Sequence, residues 1–154
     1  MSESYPAVAF YFKLSFSGIP TTTDASFKEV SGIELERGME EITEGGNPYI
    51  HRVPTAVKYK NLVLKRGLVK KNSPVAKWCF SPTGGISLGP ISLTETITTK
   101  NIVVHLLDET GNPLRSWSFV NAWPIKWSLG DLNSMNNEVA IESMEFAFSY
   151  MKEV

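Results

Sequence analysis

The sequence predicts a mainly β protein, an antiparallel β-barrel or β-sandwich with one short flanking α-helix. Three observations carry this expectation. Several long stretches alternate apolar and polar residues with a period of two. Clusters of Gly, Pro, Asn and Asp punctuate those stretches. Helix-start and helix-stop signals bracket a single short segment. Size agrees: 154 residues, 42% hydrophobic and 20% charged, suit one domain over 1–154 with a core of its own. The same balance argues against a disordered chain.

The elements follow in chain order. Val8, Phe10, Phe12, Leu14 and Phe16 alternate with Ala9, Tyr11, Lys13, Ser15 and Ser17. This is a long strand with one face in the core. Gly18-Ile19-Pro20 and the polar Thr21 to Asp24 end it. Ser26 to Val30 reads as a second, short strand stopped at Ser31-Gly32. From Ile33 to Glu44 the alternation returns. Ile33, Leu35, Arg37 and Met39 take one face; Glu34, Glu36, Gly38 and Glu40 take the other. Helix is the rival reading, since Glu and Leu favour helices, and Gly38 tips the balance to strand. Glu44-Gly45-Gly46-Asn47-Pro48 is a strong break. Tyr49 to Val57 reads as irregular, with Pro54 confining any strand there to an edge. Lys58 to Arg66 alternates again and stops at Gly67.

The helix signal is local. Ser73 is a good N-cap, and Pro74 suits the first helical position, where its missing N–H costs nothing. Val75 to Phe80 continues the helix and Ser81-Pro82 ends it. Ser81 to Thr96 is a Gly/Ser/Thr/Pro loop. Thr98 to Leu107 and Leu114 to Ala122 read as a hairpin about the turn Asp108 to Pro113. Trp123 to Trp127 continues extended past Pro124. Glu138 to Met151 is the last strand, with Met144, Phe146, Phe148 and Tyr150 on one face. The expected core residues are Phe10, Phe12, Phe16, Trp78, Trp117, Phe119, Trp123, Trp127, Phe146 and Phe148.

Charge and cysteine content narrow the function. Lys plus Arg is 15 and Asp plus Glu is 16, a formal net charge of −1. That gives no electrostatic basis for specific nucleic-acid binding. One cysteine excludes an internal disulfide framework. Met1 to Tyr5 has no basic region and no apolar run follows. The chain is therefore expected to be made in the cytoplasm and to leave by a route other than a cleaved signal. No stretch approaches the roughly 18 apolar residues of a membrane span, so stable membrane insertion is not expected.

Catalytic and metal sites are not expected either. Cys79 with His105 as base is a conceivable nucleophile–base pair, which needs a thiolate beside an imidazole. Cys79 sits between Trp78 and Phe80, which favours a buried structural thiol. His51 and His105 lie in no ligand cluster with metal spacing, and the glycine patterns of phosphate and dinucleotide sites are absent. The acidic face Glu34, Glu36 and Glu40 reads as a cation site or, more simply, as a solvated strand face. Lys58 and Lys60 offer cross-strand partners of opposite charge. Lys65-Arg66 and Lys70-Lys71 form a basic cluster that fits acidic residues of a neighbouring copy or a solvated loop. Trp117, Trp123 and Trp127 read as core or interface packing, with a carbohydrate platform as the alternative. The residues alone give a structural or binding module without cofactor.

An ordered set of segments resembles a known family. It runs Phe27-Lys28-Glu29-Val30-Ser31-Gly32, then Glu44-Gly45-Gly46-Asn47, then Leu62-Val63-Leu64-Lys65-Arg66-Gly67. Trp78 follows, then Leu106-Leu107-Asp108 with Gly111 and Pro113. Trp117-Ser118-Phe119-Val120-Asn121-Ala122-Trp123-Pro124-Ile125-Lys126-Trp127 comes next, and Asn137-Glu138-Val139-Ala140-Ile141-Glu142 closes the series. Together they resemble the inner tube proteins of contractile tails, in phages and in extracellular contractile injection systems. Val53-Pro54-Thr55 departs from the family's more usual Leu-Pro-Gly-type turn.

The resemblance implies a β-barrel subunit related to the haemolysin-coregulated protein of type VI secretion. It implies hexameric rings stacked into a hollow tube, driven through a target envelope when a surrounding sheath contracts. The implied partners are further copies, the sheath protein, baseplate and spike proteins, and cargo effectors in the lumen. The particle would assemble in the bacterial cytoplasm and act outside the cell, or form part of a virion. Within this picture Ile33 to Glu44 and Lys58 to Arg66 are the candidate channel strands. Glu34, Glu36 and Glu40 are candidate lumen or water-facing residues. Glu44, Gly45, Gly46, Asn47, Lys65, Arg66, Lys70 and Lys71 are candidate contacts between subunits or rings. The alternatives are a baseplate-proximal tube initiator, a contractile-phage tail tube for DNA passage and, more distantly, a small lectin-like β-sandwich.

Overall fold

The computed structural model describes residues 11–19, 26–46, 48–68, 73–81, 97–132, 135 and 140–154. Along the chain these form β1 (Tyr11–Phe16), β2 (Ser26–Phe27), β3 (Glu29–Ser31), β4 (Leu35–Thr43), β5 (Ile50–Tyr59) and β6 (Leu62–Gly67). The helix α1 (Pro74–Phe80) follows, then β7 (Lys100–Leu107), β8 (Pro113–Leu129), β9 (Ile141–Ala147) and β10 (Tyr150–Glu153). All their pairings are antiparallel.

The main sheet runs β2-β1-β7-β8-β9-β6-β3, with β10 also on β8. Its two ends are neighbours in sequence. β2 pairs with β1, β3 pairs with β6, and the N–H of Lys28 between them donates to the Lys65 carbonyl at 2.8 Å. The segment Ser26 to Ser31 therefore closes the sheet into a barrel, which removes its open edges. Gly32 makes the exit turn with φ 90°. A Cβ there would overlap the Asn61 carbonyl oxygen, so glycine is required twice over.

Alternate residues of β1, β6, β7, β8 and β9 fill the interior. Leu14, Phe16, Leu62, Leu64, Ile102, Val104, Phe119, Met144 and Phe146 are all buried. The helix adds Val75, Trp78 and Cys79. Trp78 stacks on Phe146 with ring centroids 5.5 Å apart and meets Phe16 edge-on at 6.3 Å. Burying each such large side chain stabilises the fold by roughly 1.5–3 kcal/mol. The expected cap is present: Ser73 Oγ accepts the Ala76 N–H at 3.2 Å, and Pro74 opens the helix.

Of the expected core residues, Phe16, Trp78, Phe119 and Phe146 are buried; Phe12, Trp117, Trp127 and Phe148 pack partly buried against them. Phe10 lies outside the described residues. Trp123 is a correction: it is half-buried and lies outside the core cluster. The cause is a bulge. Phe119 opposes Ile102 but Ala122 opposes Lys100, so β8 carries an extra residue there, and Asn121 takes φ 54°. The bulge flips the alternation, so Ala122 and Pro124 are buried and Trp123 points the other way. A second shift between Pro124 and Lys126 returns Trp127 to the inner side.

Three expected boundaries also move. Tyr49 to Val57 is not irregular, since most of it lies in β5, which ends at Tyr59. Lys58 to Arg66 is not one strand, because the chain breaks at Lys60-Asn61 between β5 and β6. The last strand divides at Phe148-Ser149, where the Ser149 N–H donates to the Val120 carbonyl and β10 crosses onto the first half of β8.

Candidate functional site: an assembly surface

β4 and β5 form a two-stranded sheet of their own. The register pairs Leu35 with Tyr59, Glu36 with Lys58, Glu40 with Val53 and Ile42 with His51. One irregularity follows Arg37. Gly38 accommodates it, because a Cβ there would run into Thr55 Oγ1. Pro54 sits in β5, which pairs with β4 alone, so the expected edge position holds. At the base, Tyr59 meets Phe148 edge-on at 5.5 Å.

Beyond that base the hairpin stands open on both faces. Leu35 is 56% exposed, Met39 62% and Ile50 54%. Alternation puts these three on one face. Ile42 at 43% and Val53 at 37% lie on the other. The outer edges of both strands are unpaired among the described residues. An isolated two-stranded hairpin is marginal in water, and exposed apolar strands invite pairing with another chain. Apolar residues on two open faces mark a surface built to be covered.

The acidic residues line this hairpin. Glu34 pairs with Lys60 at 3.1 Å, Glu41 with Arg52 at 3.6 Å and Glu44 with His51 at 3.9 Å, all at exposed positions. Each such pair is worth less than about 1 kcal/mol. Glu36 lies opposite Lys58, whereas Glu40 lies opposite the apolar Val53. Glu34, Glu36 and Glu40 are exposed, as is the opposite face of the strand. Gly45 and Gly46 form the tip, Gly46 with φ 84°. Asn47, Lys70 and Lys71 lie outside the described residues, as does the 82–96 stretch of the expected loop.

The expected basic pair Lys65-Arg66 separates, because adjacent strand residues face opposite sides. Arg66 is 3% exposed and is not part of any surface cluster. Its Nε donates to Glu142 Oε2 at 3.0 Å and its Nη2 to Ser73 Oγ at 2.8 Å. The guanidinium also lies 5.0 Å over the Phe27 ring. Trp127 Nε1 donates to the other Glu142 oxygen at 2.7 Å. This buried cluster ties together β6, β9, β8, the helix cap and the closing segment. Sequence reasoning missed it, although Arg66 and Glu142 both occupy inward positions of their strands.

Lys65 faces outward instead. With Val63, Lys126, Ser128, Ser143 and Glu145 it lines a groove of about 230 Å³ on the outer face of β6, β9 and β8.

The rejected chemical sites stay apart. Cys79 Sγ lies 4.0 Å from Met144 Sδ in the core. His105 Nδ1 is 2.7 Å from Ser116 Oγ on the β7–β8 pair. Among the described residues there is no group of three or more His, Cys, Asp or Glu side chains that could hold a metal ion. No described helix is long and apolar enough to cross a membrane. The perturbed carboxyls are structural. Asp108 is held below the usual carboxylate value by the Thr110 hydroxyl and then by turn N–H groups. Glu153 is held down by its two-pronged hydrogen bond with Arg115, at 2.8 Å on each side.

The chain as a whole matches a known family. Residues 8–152 match the model of the T4-like virus tail tube protein gp19 family. The chain belongs to that tail tube family. Its members are structural tube proteins. A chain in the cryo-EM structure of the anti-feeding prophage baseplate, 6-fold symmetrised, is 26% identical to this tail tube protein. Its TM-score is 0.74, with 99% of this chain and 97% of that chain covered. A chain of the PVC extracellular contractile injection system, in the extended sheath–tube complex, shares the fold at 20% identity. There the TM-score is 0.74 and the coverage 97% and 92%. Hcp1 from Salmonella typhimurium shares it at 15% identity and a TM-score of 0.53, over 95% and 86%. No curated protein matches the sequence.

Proposed function

We propose that this tail tube protein closes into hexameric rings that stack as the inner tube of a phage-tail-like contractile injection particle. The whole chain acts as one tube domain and performs no catalysis. The observation that carries this reading is the β4–β5 hairpin, which exposes apolar residues on both faces and is unpaired along its outer edges among the described residues. Such a surface is stable when neighbouring copies cover it. A ring formed by head-to-tail contacts closes, and stacking the two unlike ring faces propagates without limit. A net charge of −1 lets many copies pack without strong mutual repulsion.

In this reading Glu34, Glu36 and Glu40 face water, with the lumen as their candidate surroundings. An acidic lumen repels acidic cargo and nucleic acid. Glu44, Gly45 and Gly46 at the hairpin tip, with Lys65 and the further sequence candidates Asn47, Lys70 and Lys71, are the candidate contacts between subunits and rings. The sheath surrounds the tube, baseplate and spike proteins close its end, and effectors travel within. Assembly takes place in the bacterial cytoplasm and the particle acts outside it.

Negative-stain microscopy of the purified chain tests the reading. Rings or tubes are expected; a strict monomer at high concentration refutes it. Deleting Glu44 to Pro48 is expected to block stacking more than ring closure, and tubes of normal length would overturn that assignment. A second reading, a baseplate-proximal ring, is favoured by the 26% match to a chain found in a baseplate structure. Copy number separates the two, since a main tube protein is among the most abundant components of its particle. The family model's own name favours a virion tail tube; capsid genes beside this gene would identify one.

A further inference from the structure

The outer groove on β6, β9 and β8 is a small array of polar side chains set by register. Val63 and Lys126 both lie opposite Glu145; Lys65 and Ser128 both lie opposite Ser143. Each lysine has a carboxylate opposite it, Glu29 for Lys65 and Glu145 for Lys126. Among the described residues neither lysine closes an ion pair. Both line the groove instead, beside two serine hydroxyls. Glu145 lines the groove as well, so two ammonium groups against one carboxylate leave it net positive by one, and with two hydroxyls around about 230 Å³ they provide donors for one incoming carboxylate.

The acidic strand β4 supplies one. Glu41 is matched by Arg52, Glu44 by His51 and Glu34 by Lys60, while Glu36 lies opposite Lys58. Glu40 lies opposite Val53 and forms no ion pair among the described residues. Val53 and Ile42 share its face and are exposed, which matches the apolar Val63 at the groove wall. We propose that the groove is the seat for Glu40 of a second copy of this chain. The hairpin of one subunit then lies across the outer β6–β9–β8 face of the next. Glu40 sits between Lys65 and Lys126, and Ile42 and Val53 are covered at the same time. This rests on the tube reading, moves Glu40 from the lumen-facing candidates to the subunit interface while Glu34 and Glu36 stay lumen candidates, and names the residues that join its subunits.

Charge reversal in the full chain tests it. Lys126→Glu and Glu40→Lys are each expected to raise the concentration needed for assembly about tenfold or more, as for a desolvated interfacial pair. Combined in one chain they are expected to return it to within about threefold of the parent, since contacting residues couple. Each single variant is also checked for folding by its denaturation midpoint, so a loss of assembly with an unchanged midpoint, recovered in the double variant, is a contact effect and not misfolding. Disulfide trapping gives a second readout. A chain carrying Glu40→Cys and Lys126→Cys is expected to give a ladder of cross-linked oligomers when oxidised after assembly. If the parent assembles but the reversals do not weaken it, or no ladder forms, the groove assignment is overturned and the tube reading stands. Normal assembly with altered retention of an acidic peptide also overturns it, and makes the groove a lumen-facing surface. A parent that stays monomeric refutes the tube reading and this proposal with it.

Discussion

Replacing Glu142 by Gln tests what fixes the register behind the assembly surface. Arg66 and Glu142 are direct cross-strand partners on β6 and β9. The next pair along, Lys65 and Ser143, faces the groove. The two carboxylate oxygens of Glu142 accept from two different donors, Arg66 Nε at 3.0 Å and Trp127 Nε1 at 2.7 Å. A carboxamide has a single acceptor oxygen. Its NH₂ group must then face one of the two donors, and the counter-charge of the buried guanidinium is gone. Removing one member of a buried pair costs about 3–5 kcal/mol. Total stability for such a domain is about 5–15 kcal/mol, so the loss is a large share of it.

The assay is urea unfolding of unassembled protein, at several concentrations to exclude a contribution from assembly. The midpoint is expected to fall with an unchanged denaturant slope. Because the pair is buried, added salt is expected to change the loss little. Replacing both partners, Arg66→Met with Glu142→Leu, is expected to be less damaging than Glu142→Gln alone, since no buried charge remains. A loss below about 1 kcal/mol for Glu142→Gln would place the pair with ordinary surface ion pairs and refute the reasoning.

Further predictions rest on other parts of the fold. Ser73→Ala removes a helix cap and a hydrogen-bond partner of Arg66, and is expected to lower stability by about 1–2 kcal/mol in thermal melting. Gly32→Ala places a Cβ against the Asn61 carbonyl at positive φ; it is expected to cost more than the roughly 1–2 kcal/mol of the left-handed conformation alone. In carboxyl NMR titrations Glu153 and Asp108 are expected below ordinary values, and Arg115→Gln is expected to raise Glu153 while leaving Asp108 in place. A folded value below the unfolded one adds stability above the unfolded value and loses it as pH falls through the folded one. Both groups lie at the surface, Glu153 exposed and Asp108 partly so, so their effect on unfolding at acid pH is expected to be slight. Leu35→Ser with Met39→Ser is expected to shift the unfolding free energy by no more than about 0.5 kcal/mol while abolishing assembly by sedimentation. Assembly that survives this change would remove the hairpin face from the interface.

What was legible in the sequence depended on the range of the signal. The helix was readable because its signals are local: Ser73 caps it, Pro74 starts it and Ser81 ends it. Most strands were readable by their period of two. The breaks at Lys60-Asn61 and Phe148-Ser149 were not: the letters alternate in phase from Met144 to Tyr150 across the second, and at the first the change of phase from Val57 and Tyr59 to Leu62 and Leu64 has no turn residue such as Gly or Pro to mark it. They are decided by tertiary pairing, β6 against β3 and β9, and β10 against β8. Trp123 was misplaced because the bulge at Asn121 reverses inside and outside, and nothing in the local letters marks it. Arg66 was misplaced for a simpler reason. Grouping it with Lys65 treated neighbours in sequence as neighbours in space, which a strand forbids. The family pattern carried the function further than any single residue did.

The hairpin shows where alternation stops being sufficient. A period of two establishes that a strand has one more apolar face, and it says nothing of which molecule covers that face. In β6 and β9 the covering is internal, and every second residue is buried. In β4 the same pattern leaves Leu35 and Met39 in solvent. The Tyr59–Phe148 contact anchors one end of the hairpin, and the remaining strand length has no internal core to hold it. In the proposed tube its order therefore draws on contacts between copies. Assembly and the folding of this element become a single equilibrium, in which each added neighbour buries apolar surface that the free subunit must expose. That coupling gives the free subunit a reason to leave solution and the assembled tube a reason to hold.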